Sequence, residues 1–251
     1  IGSKILRRFQ MKTIASIDRC ISISEAAKQY ADECFGIKSK IIPIMVDTDK
    51  FRIGKKLARF NDGKFNILFI GRLVERKGIF YLLEALIRIR SLINHNNIRL
   101  IIAGDGPERT KIERFINDHN LKDVYIEGHI HESEKVNYYH SADLCVFPST
   151  HGESFGVVLI EAMAAGRAIL TFDNEGYRSV LKKNLPESLV TNQDIDNLSS
   201  KIIKIYKDPI LRESLARRSF NESSNYSLDK ISNQILKLYN EVLDNRSVNQ
   251  S

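Results

Sequence analysis

The chain lacks the features that mark a membrane span, a secretory leader or a disulfide framework. Among its 251 residues, no apolar run approaches the roughly 18 residues that cross a bilayer. The opening IGSKILRRFQ has neither an initiating Met nor the apolar segment of a signal peptide. Cys20, Cys34 and Cys145 form no C-x-x-C pair, so neither disulfides nor a zinc site are expected. We therefore expect a cytoplasmic, reducing setting, and the missing Met suggests that the sequence is cut from something longer.

Acidic residues are scarce in one part of the chain. Residues 51–90 carry ten basic and three acidic side chains, a net charge of +7. This equals the net charge of the whole chain. A protein that coats nucleic acid usually has a wider basic patch. A local basic stretch fits a small anionic ligand equally well.

Residues 3–14 predict an amphipathic helix. Its apolar face holds Ile5, Leu6 and Phe9, and its basic face holds Lys4, Arg7, Arg8 and Lys12. Such a helix suits peripheral contact with an anionic membrane surface, or it is an ordinary solvated helix face.

From residue 65 the pattern alternates between apolar runs and amphipathic stretches. Strands are predicted at 65–70, 98–103, 124–127, 144–147 and 168–171, and helices begin near Gly78, Pro107, Ser133, Gly156 and Glu175. This alternation predicts an α/β fold, a Rossmann-like doubly wound parallel sheet with helices on both faces. Ligands of such sheets bind in the loops at the carboxyl ends of the strands.

The flanking segments are interpreted more simply. A strand at 20–23, a helix capped by Ser24 and ended by Gly36, and a strand at 40–42 form the end of another α/β unit. Residues 43–64 are interpreted as a polar linker. After residue 193 only helices are predicted, at 193–206, 209–221 and 228–243, followed by a polar tail.

The loop after the first strand of the main sheet concentrates cations. Gly71 permits a close turn, and Arg72, Arg76 and Lys77 follow just before a helix begins. Guanidinium groups, an ammonium group and the free N–H groups of a helix start suit a diphosphate. The alternative is three solvated surface cations.

A second loop, Ala103-Gly104-Asp105-Gly106-Pro107, resembles a dinucleotide-binding turn. Glu127 lies at about the distance of the acid that binds ribose, but Arg109 occupies the third glycine position. We therefore favour a structural role for this turn, and a Rossmann dehydrogenase remains only an alternative.

The loop after the strand at 144–147 is the most informative. It runs Gly152-Glu153-Ser154-Phe155-Gly156 into a helix in which Glu161 is the one charged residue before Gly166. The N–H groups of Phe155, Gly156 and Val157 can face an anion. A buried carboxylate needs a partner, either ligand hydroxyls at Glu161 or a neighbouring Lys or Arg.

Two other chemistries are disfavoured. Residues 152–156 also spell the G-x-S-x-G of a hydrolase, but all six histidines precede Ser154, so no base follows in the expected order. Asp47 and Asp49 resemble a D-x-D metal motif, yet spaced aspartates are common in linkers. Glu153 and Glu161 should lie about 12 Å apart, too far for an acid–base pair but suited to the two ends of one extended ligand.

Three motifs together resemble a known family. G-R-x4-K-G at 71–78, A-G-D-G-P at 103–107 and E-S-F-G-x4-E-A-M-A-A-G at 153–166 are similar to the donor half of retaining glycosyltransferases of family 4, which have the GT-B fold. Residues 152–181 are particularly similar to phosphatidylinositol mannosyltransferases. In that fold an N-terminal domain holds the acceptor and a C-terminal Rossmann-like domain holds the nucleotide sugar.

The resemblance implies roles for individual residues. Arg72 and Lys77, with Arg76 beside them and the turn at Gly71, would bind the donor diphosphate. Glu153 would contact the transferred sugar near its reacting carbon, and Glu161 the ribose hydroxyls. The backbone of Ser154, Phe155, Gly156 and Val157 would hold sugar and phosphate. Ile130, His131 and Glu132, with Lys135, fall where the base is held.

The resemblance also implies an activity. It predicts retaining transfer of a hexose, mannose or glucose, from a donor of the GDP-mannose or UDP-glucose type to a lipid or glycan acceptor. The catalytic residues would be Glu153, Arg72 and Lys77, with no metal, no cofactor and no nucleic-acid partner. The domains would be the end of an acceptor domain at 1–46, the donor domain at 47–224 and a returning helix and tail at 225–251. A chain without the acceptor domain should transfer little alone.

Departures and alternatives remain open. The usual P-N-G-V-D of the linker is Pro43-Ile44-Met45-Val46-Asp47, and the usual Trp before the last helix is replaced around 226–228. The alternatives are a nucleotide-sugar epimerase of the same fold and a non-catalytic module that binds anionic surfaces. The second would leave Glu161 unexplained and would bind with steep salt dependence.

Overall fold

The computed structural model describes residues 14, 16–93 and 97–248. The predicted helix at 3–14 therefore lies outside the described residues, apart from Ile14. The strands are β1 (Cys20–Ser22), β2 (Ser39–Ile41), β3 (Phe65–Ile70), β4 (Ile98–Ala103), β5 (Val124–Gly128), β6 (Leu144–Phe147), β7 (Ala168–Phe172) and β8 (Leu189–Val190).

The described helices surround these strands. They are α1 (Glu25–Phe35), α2 (Thr48–Arg52), α3 (Ile79–Leu92), α4 (Arg109–Asp118), α5 (Lys135–Ser141), α6 (Val157–Ala164), α7 (Glu175–Leu181), α8 (Ile195–Lys207), α9 (Pro209–Ser223) and α10 (Leu228–Val248).

The main sheet has six parallel strands in the order β5-β4-β3-β6-β7-β8. Every residue of β3, β4, β6 and β7 is buried, since helices cover both faces of the sheet. The predicted doubly wound α/β fold is confirmed. The two-residue strand β8 at the sheet edge was not predicted.

The strand order reverses direction between β3 and β6. The chain winds outward from β3 to β5 on one side, returns to β6 beside β3, and continues to β8 on the other side. Such a switch point leaves a crevice at the carboxyl ends of its two strands. The loops that follow β3 and β6, the cation loop (71–78) and the glycine-rich loop (148–156), meet there.

A small two-stranded unit precedes this sheet. Strands β1 and β2 pair in parallel around α1, whose first turn is capped by the Ser24 side chain and which ends at the left-handed Gly36, as predicted. Ile42, which follows β2, packs with Ile231 and Leu238 of α10. The last helix therefore rests on the first unit, although the proposed domain boundaries themselves stay predictions.

Two of the sequence interpretations were wrong. Residues 43–64 are not simply a polar linker, because they contain α2 and bury Phe51 and Phe60, each only 2% exposed, in the core of the sheet domain. The last helix was predicted to end at residue 243, but α10 continues to Val248. Within the described ranges, no helix is long and apolar enough to span a bilayer.

Candidate active site

Two cations of the cation loop converge on one carboxylate of the glycine-rich loop. Nη1 of Arg76 lies 2.7 Å and Nζ of Lys77 lies 2.6 Å from Oε1 of Glu153. The side chains of Lys77 and Glu153 are only 15% and 10% exposed. The cluster places two positive charges and one negative charge at the switch point of the sheet.

Backbone contacts hold the two loops together independently of these charges. The N–H and hydroxyl of Thr150 both donate to the carbonyl of Arg76, at 2.9 and 3.3 Å. Asn174, just after β7, donates from Nδ2 to the Ser149 carbonyl at 2.8 Å, and its Oδ1 caps α7 by accepting from the Tyr177 N–H. Three loops at the carboxyl edge of the sheet are thereby joined.

Arg72 stands apart from this cluster. Its side chain is exposed, and its guanidinium finds no hydrogen-bond or ionic partner among the described residues. Gly71 beside it donates its N–H to the Ala103 carbonyl at 3.0 Å, which sets the turn. Arg76 and Lys77 thus form ion pairs with Glu153, whereas Arg72 forms none among the described residues.

Helix α6 begins at Gly156 with free backbone donors. No described residue accepts a hydrogen bond from the N–H groups of Phe155, Gly156 or Val157. Gly156 has a φ of +111°, and a Cβ on it would lie 2.7 Å from the Tyr177 ring, so only glycine fits. Free N–H groups at a helix start make this end of α6 suited to an anion.

The side chains around this helix start have different surroundings. The ring of Phe155 is buried and packs edge-on against Tyr226 at 5.6 Å between ring centroids, whereas Ser154 and Val157 are exposed. Phe155 can therefore meet a ligand through its backbone but not through its ring. Tyr226, in the segment that departs from the family pattern, also accepts the Val46 N–H at 2.9 Å on its carbonyl.

Glu161 has protein partners for both of its oxygens. Lys135 Nζ lies 2.8 Å from Oε1, and the hydroxyl of Tyr139 donates to Oε2 at 2.7 Å. The Glu161 side chain is 6% exposed. Of the two alternatives, a ligand or a neighbouring cation, the structure supplies the cation, and the buried Tyr139 was not predicted.

The charges in this cluster stabilise one another. Burial alone would lower the pKa of the Lys135 ammonium, but the carboxylates of Glu161 and Glu132 outweigh it and raise that pKa. Burial, aided by the Glu161 charge, raises the pKa of the Tyr139 hydroxyl well above its ordinary value. Both groups therefore hold Glu161 as hydrogen-bond donors around neutral pH.

The predicted base-holding loop lies at the mouth of this cluster. Glu132 is exposed and bridges Lys135 and Lys50 at 3.1 Å each. The His131 ring holds the loop by contacting the Ser133 hydroxyl at 2.7 Å, and Ile130 packs against the core. Lys50 comes from the supposed linker, and its part in this cluster was not predicted.

The A-G-D-G-P turn has a structural role, as favoured from its sequence. A Cβ on Gly104, whose φ is +153°, would lie 1.9 Å from the Gly71 carbonyl oxygen. The Leu73 N–H donates to the Asp105 carbonyl at 2.9 Å, so the turn supports the cation loop from beside. Arg109, at the third glycine position, forms ion pairs with Asp105 and Glu113.

The aspartates of the D-x-D motif have local partners. Asp47 caps α2 through the Lys50 N–H at 3.2 Å, and Asp49 pairs with Arg52 at 3.2 Å. Over the part of the chain that the structure describes, no group of three His, Cys, Asp or Glu side chains could hold a metal ion.

An open cavity of about 650 Å³ adjoins Glu153 and Ser154 and extends to α1. Its polar lining includes residues that the sequence analysis did not single out: Asp173, Asn174, Glu175, Arg178 and Asn192. A signal was present, because the run Asp173-Asn174-Glu175 directly follows a buried strand, at the same sheet edge as the other loops.

The fold and this site define a doubly wound α/β domain with an anion site at its switch point. The family model "Glycosyl transferases group 1" matches residues 51–222, and the chain belongs to this family. It is homologous to phosphatidyl-myo-inositol mannosyltransferases: that of Mycolicibacterium smegmatis is 30% identical over 223 residues, covering 88% of this chain and 56% of that protein. The chain spans about half the length of the curated relatives it matches.

Solved structures of GT-B glycosyltransferases match this fold. Sucrose-phosphate synthase of Thermosynechococcus elongatus matches with a TM-score of 0.79 and 24% identity over 96% of this chain and 62% of that one. HepE of Anabaena, in complex with UDP-glucose, matches with a TM-score of 0.78 and 19% identity over 94% and 67%. At these identities the likeness establishes the fold.

Proposed function

We propose that this chain is the donor-binding part of a retaining hexosyltransferase. It would bind a nucleoside diphosphate sugar and support transfer of the hexose to a lipid or glycan acceptor. The observation that carries the proposal is the convergence of Arg76 and Lys77 at the switch point, beside the free N–H groups that start α6. Two cations and a helix start match the charge of a diphosphate.

In this proposal the diphosphate takes over the cations that pair with Glu153 in the structure. Lys77 and Arg76 bind phosphate oxygens, and the exposed Arg72 has the freedom to reach the same group. As the bond from the sugar to the diphosphate breaks, negative charge grows on the leaving group. These cations and the start of α6 stabilise that charge, so the proposal requires no metal ion.

Glu153, released from the cations, would accept hydrogen bonds from the transferred sugar. The nucleoside would lie toward the Glu161 cluster, with its ribose hydroxyls near the Glu161 carboxylate and its base along residues 130–132. Lys135 and Tyr139 hold that carboxylate in its orientation. Retention of configuration is proposed from the resemblance of the E-S-F-G-x4-E motif to family 4.

The choice of sugar is also a proposal. A relative that carries the name of a mannosyltransferase favours mannose and hence GDP-mannose, with glucose from UDP-glucose as the second choice. Because the chain spans about half of such relatives, we expect it to bind the donor but to transfer little by itself. Full transferase turnover by these 251 residues would contradict that expectation.

Calorimetric titration of the chain with GDP, UDP and NAD tests the proposal. GDP or UDP should bind and NAD should not, and a preference for GDP would favour mannose. Lys77→Ala should weaken binding by about tenfold or more, since it removes a charge-assisted hydrogen bond worth ~1.5–3 kcal/mol. Arg72→Ala and Glu161→Ala should also weaken it.

A matched control is Lys207→Ala, which removes an exposed cation at the end of α8, away from the loops of the site. Binding should be unchanged in that variant. If no nucleoside diphosphate binds the unmodified chain, or if both lysine variants lose affinity equally, the donor-site proposal is wrong.

A further inference from the structure

The carboxylate of Glu153 has an unequal distribution of contacts. Its Oε1 accepts from both Arg76 and Lys77, while Oε2 has no hydrogen-bond partner among the described residues. The side chains of Glu153 and Lys77 are 10% and 15% exposed, so their ion pair is largely shielded from water, whereas the Arg76 side chain is 40% exposed. The cations that should bind phosphate are therefore already occupied by an internal anion.

Contacts that do not involve this anion hold the backbone of Arg76 and Lys77. The Lys77 N–H donates to the Val74 carbonyl at 2.9 Å, and Thr150 holds the Arg76 carbonyl. The Glu153 backbone packs closely against Gly176 of α7, since a Cβ on Gly176 would lie 2.1 Å from the Glu153 carbonyl oxygen. The Glu153 side chain can therefore rotate its carboxylate away from Arg76 and Lys77 without breaking these backbone contacts.

We propose that Glu153 discriminates between the nucleotide sugar and the free nucleoside diphosphate by competing for Arg76 and Lys77. This inference rests on the proposed function. Either ligand must displace the carboxylate from the cations. A nucleotide sugar then offers sugar hydroxyls that donate to it, whereas a free diphosphate offers none.

Charge adds to the difference between the two ligands. The terminal phosphate of a free nucleoside diphosphate carries close to two negative charges near neutral pH, since its second pKa is about 6. In the nucleotide sugar that phosphate is esterified and carries one. The displaced Glu153 carboxylate therefore repels the product more than the donor, which favours product release and keeps the site open to fresh donor.

The test compares Glu153→Gln with the wild-type chain by titration with GDP, UDP, GDP-mannose and UDP-glucose. Glutamine keeps the size of the side chain and removes its charge. The free diphosphate that the wild type prefers, GDP or UDP, should bind Glu153→Gln about fivefold more tightly than it binds the wild type. This change equals ~1 kcal/mol, the size expected when one ion pair no longer competes. The matching nucleotide sugar should gain less, so the ratio of the two dissociation constants should fall.

Glu175→Gln is the matched control. Glu175 lines the same cavity, is exposed and does not contact Arg76 or Lys77. Its removal changes the net charge by the same amount, and the ratio of dissociation constants should stay at the wild-type value.

The outcomes separate this inference from the proposed function. If the wild type binds nucleotides and Glu153→Gln binds the free diphosphate equally or more weakly, the competition is refuted while the donor site stands. If Glu175→Gln gained as much affinity for the free diphosphate as Glu153→Gln, the effect would come from net charge alone, and the competition by Glu153 would again be refuted. If neither form binds any of the four nucleotides, the proposed function and the inference both fail.

Discussion

The hydroxyl of Tyr139 donates a 2.7 Å hydrogen bond to Oε2 of Glu161 between α5 and α6. Tyr139 is fully buried, and its ring packs edge-on against Phe51 of α2. The Tyr139 side chain thus links α2, the Glu161 carboxylate and the core. The contact explains how a charge is tolerated within a buried helix.

Tyr139→Phe should lower the free energy of unfolding by about 1–3 kcal/mol, because it leaves a buried carboxylate oxygen without its donor while keeping the ring. Urea unfolding followed by circular dichroism measures the loss. Tyr239→Phe removes a hydroxyl from a ring that is 65% exposed and should change little. Equal stability of the wild type and Tyr139→Phe would contradict the role given to this hydrogen bond.

A second prediction concerns Asp62 and Arg99 at the opposite end of the sheet. A hydrogen bond from the buried Arg99, with the Arg99 charge adding to it, lowers the pKa of Asp62 from 3.8 to about 2. A carboxyl whose pKa is lowered by folding stabilises the fold when the pH is above its pKa in the unfolded chain. That contribution is lost as the pH falls through its pKa in the folded chain. Asp62→Asn should therefore destabilise the chain at neutral pH.

The difference between wild type and Asp62→Asn should be constant above pH 3.8 and shrink as pH falls toward about 2. Unfolding free energies measured across that interval check the prediction. A difference that persists undiminished at the acid end would show that Asp62 acts through something other than its charge.

The start of α6 gives a third prediction. Gly156→Ala places a Cβ 2.7 Å from the Tyr177 ring on a backbone with φ of +111°, so both the fold and the anion site should suffer. Gly63→Ala is the control, because Gly63 also has a positive φ of +85° but has open space around it. Backbone strain alone costs about 1–2 kcal/mol.

Unfolding measurements should therefore show a larger loss in Gly156→Ala than in Gly63→Ala, and calorimetry should show weaker nucleotide binding only in the former. Equal losses of stability would mean that Tyr177 moves aside without cost.

Much of the fold followed from the sequence because its strongest signals are local. Strands β3 and β4 were predicted with their observed ends, since each is a mainly apolar run, interrupted only by Asn66 or Arg99, with polar or glycine residues on both sides. Ser24 and Gly36 end α1 as expected from capping chemistry. The alternation of these runs with helices was enough to predict a parallel sheet.

The failures share a different origin. Phe51 and Phe60 lie in a polar, basic stretch, and only the tertiary structure shows that they are buried. Strand β8 has two residues and exists by pairing with β7, which no local pattern can indicate. Sequence alone therefore underestimates how firmly residues 43–64 belong to the domain.

For the site, the sequence predicted the neighbourhood better than the contacts. That the cation loop and the glycine-rich loop meet follows from the rule for parallel sheets. The ion pair of Lys77 with Glu153 joins residues 76 positions apart, and that of Lys135 with Glu161 joins residues 26 apart. Such pairings depend on loop geometry, which the local sequence does not indicate.

The most direct test of the account is the location of a bound nucleoside diphosphate, measured by amide hydrogen exchange with and without saturating GDP or UDP. We predict slower exchange in peptides covering residues 71–78 and 153–158, with the largest protection at the free N–H groups of Phe155, Gly156 and Val157. Peptides covering residues 58–66, at the opposite end of β3, should exchange at unchanged rates. Protection confined to those distant peptides, or absent from residues 153–158 despite binding, would contradict a diphosphate site at the start of α6.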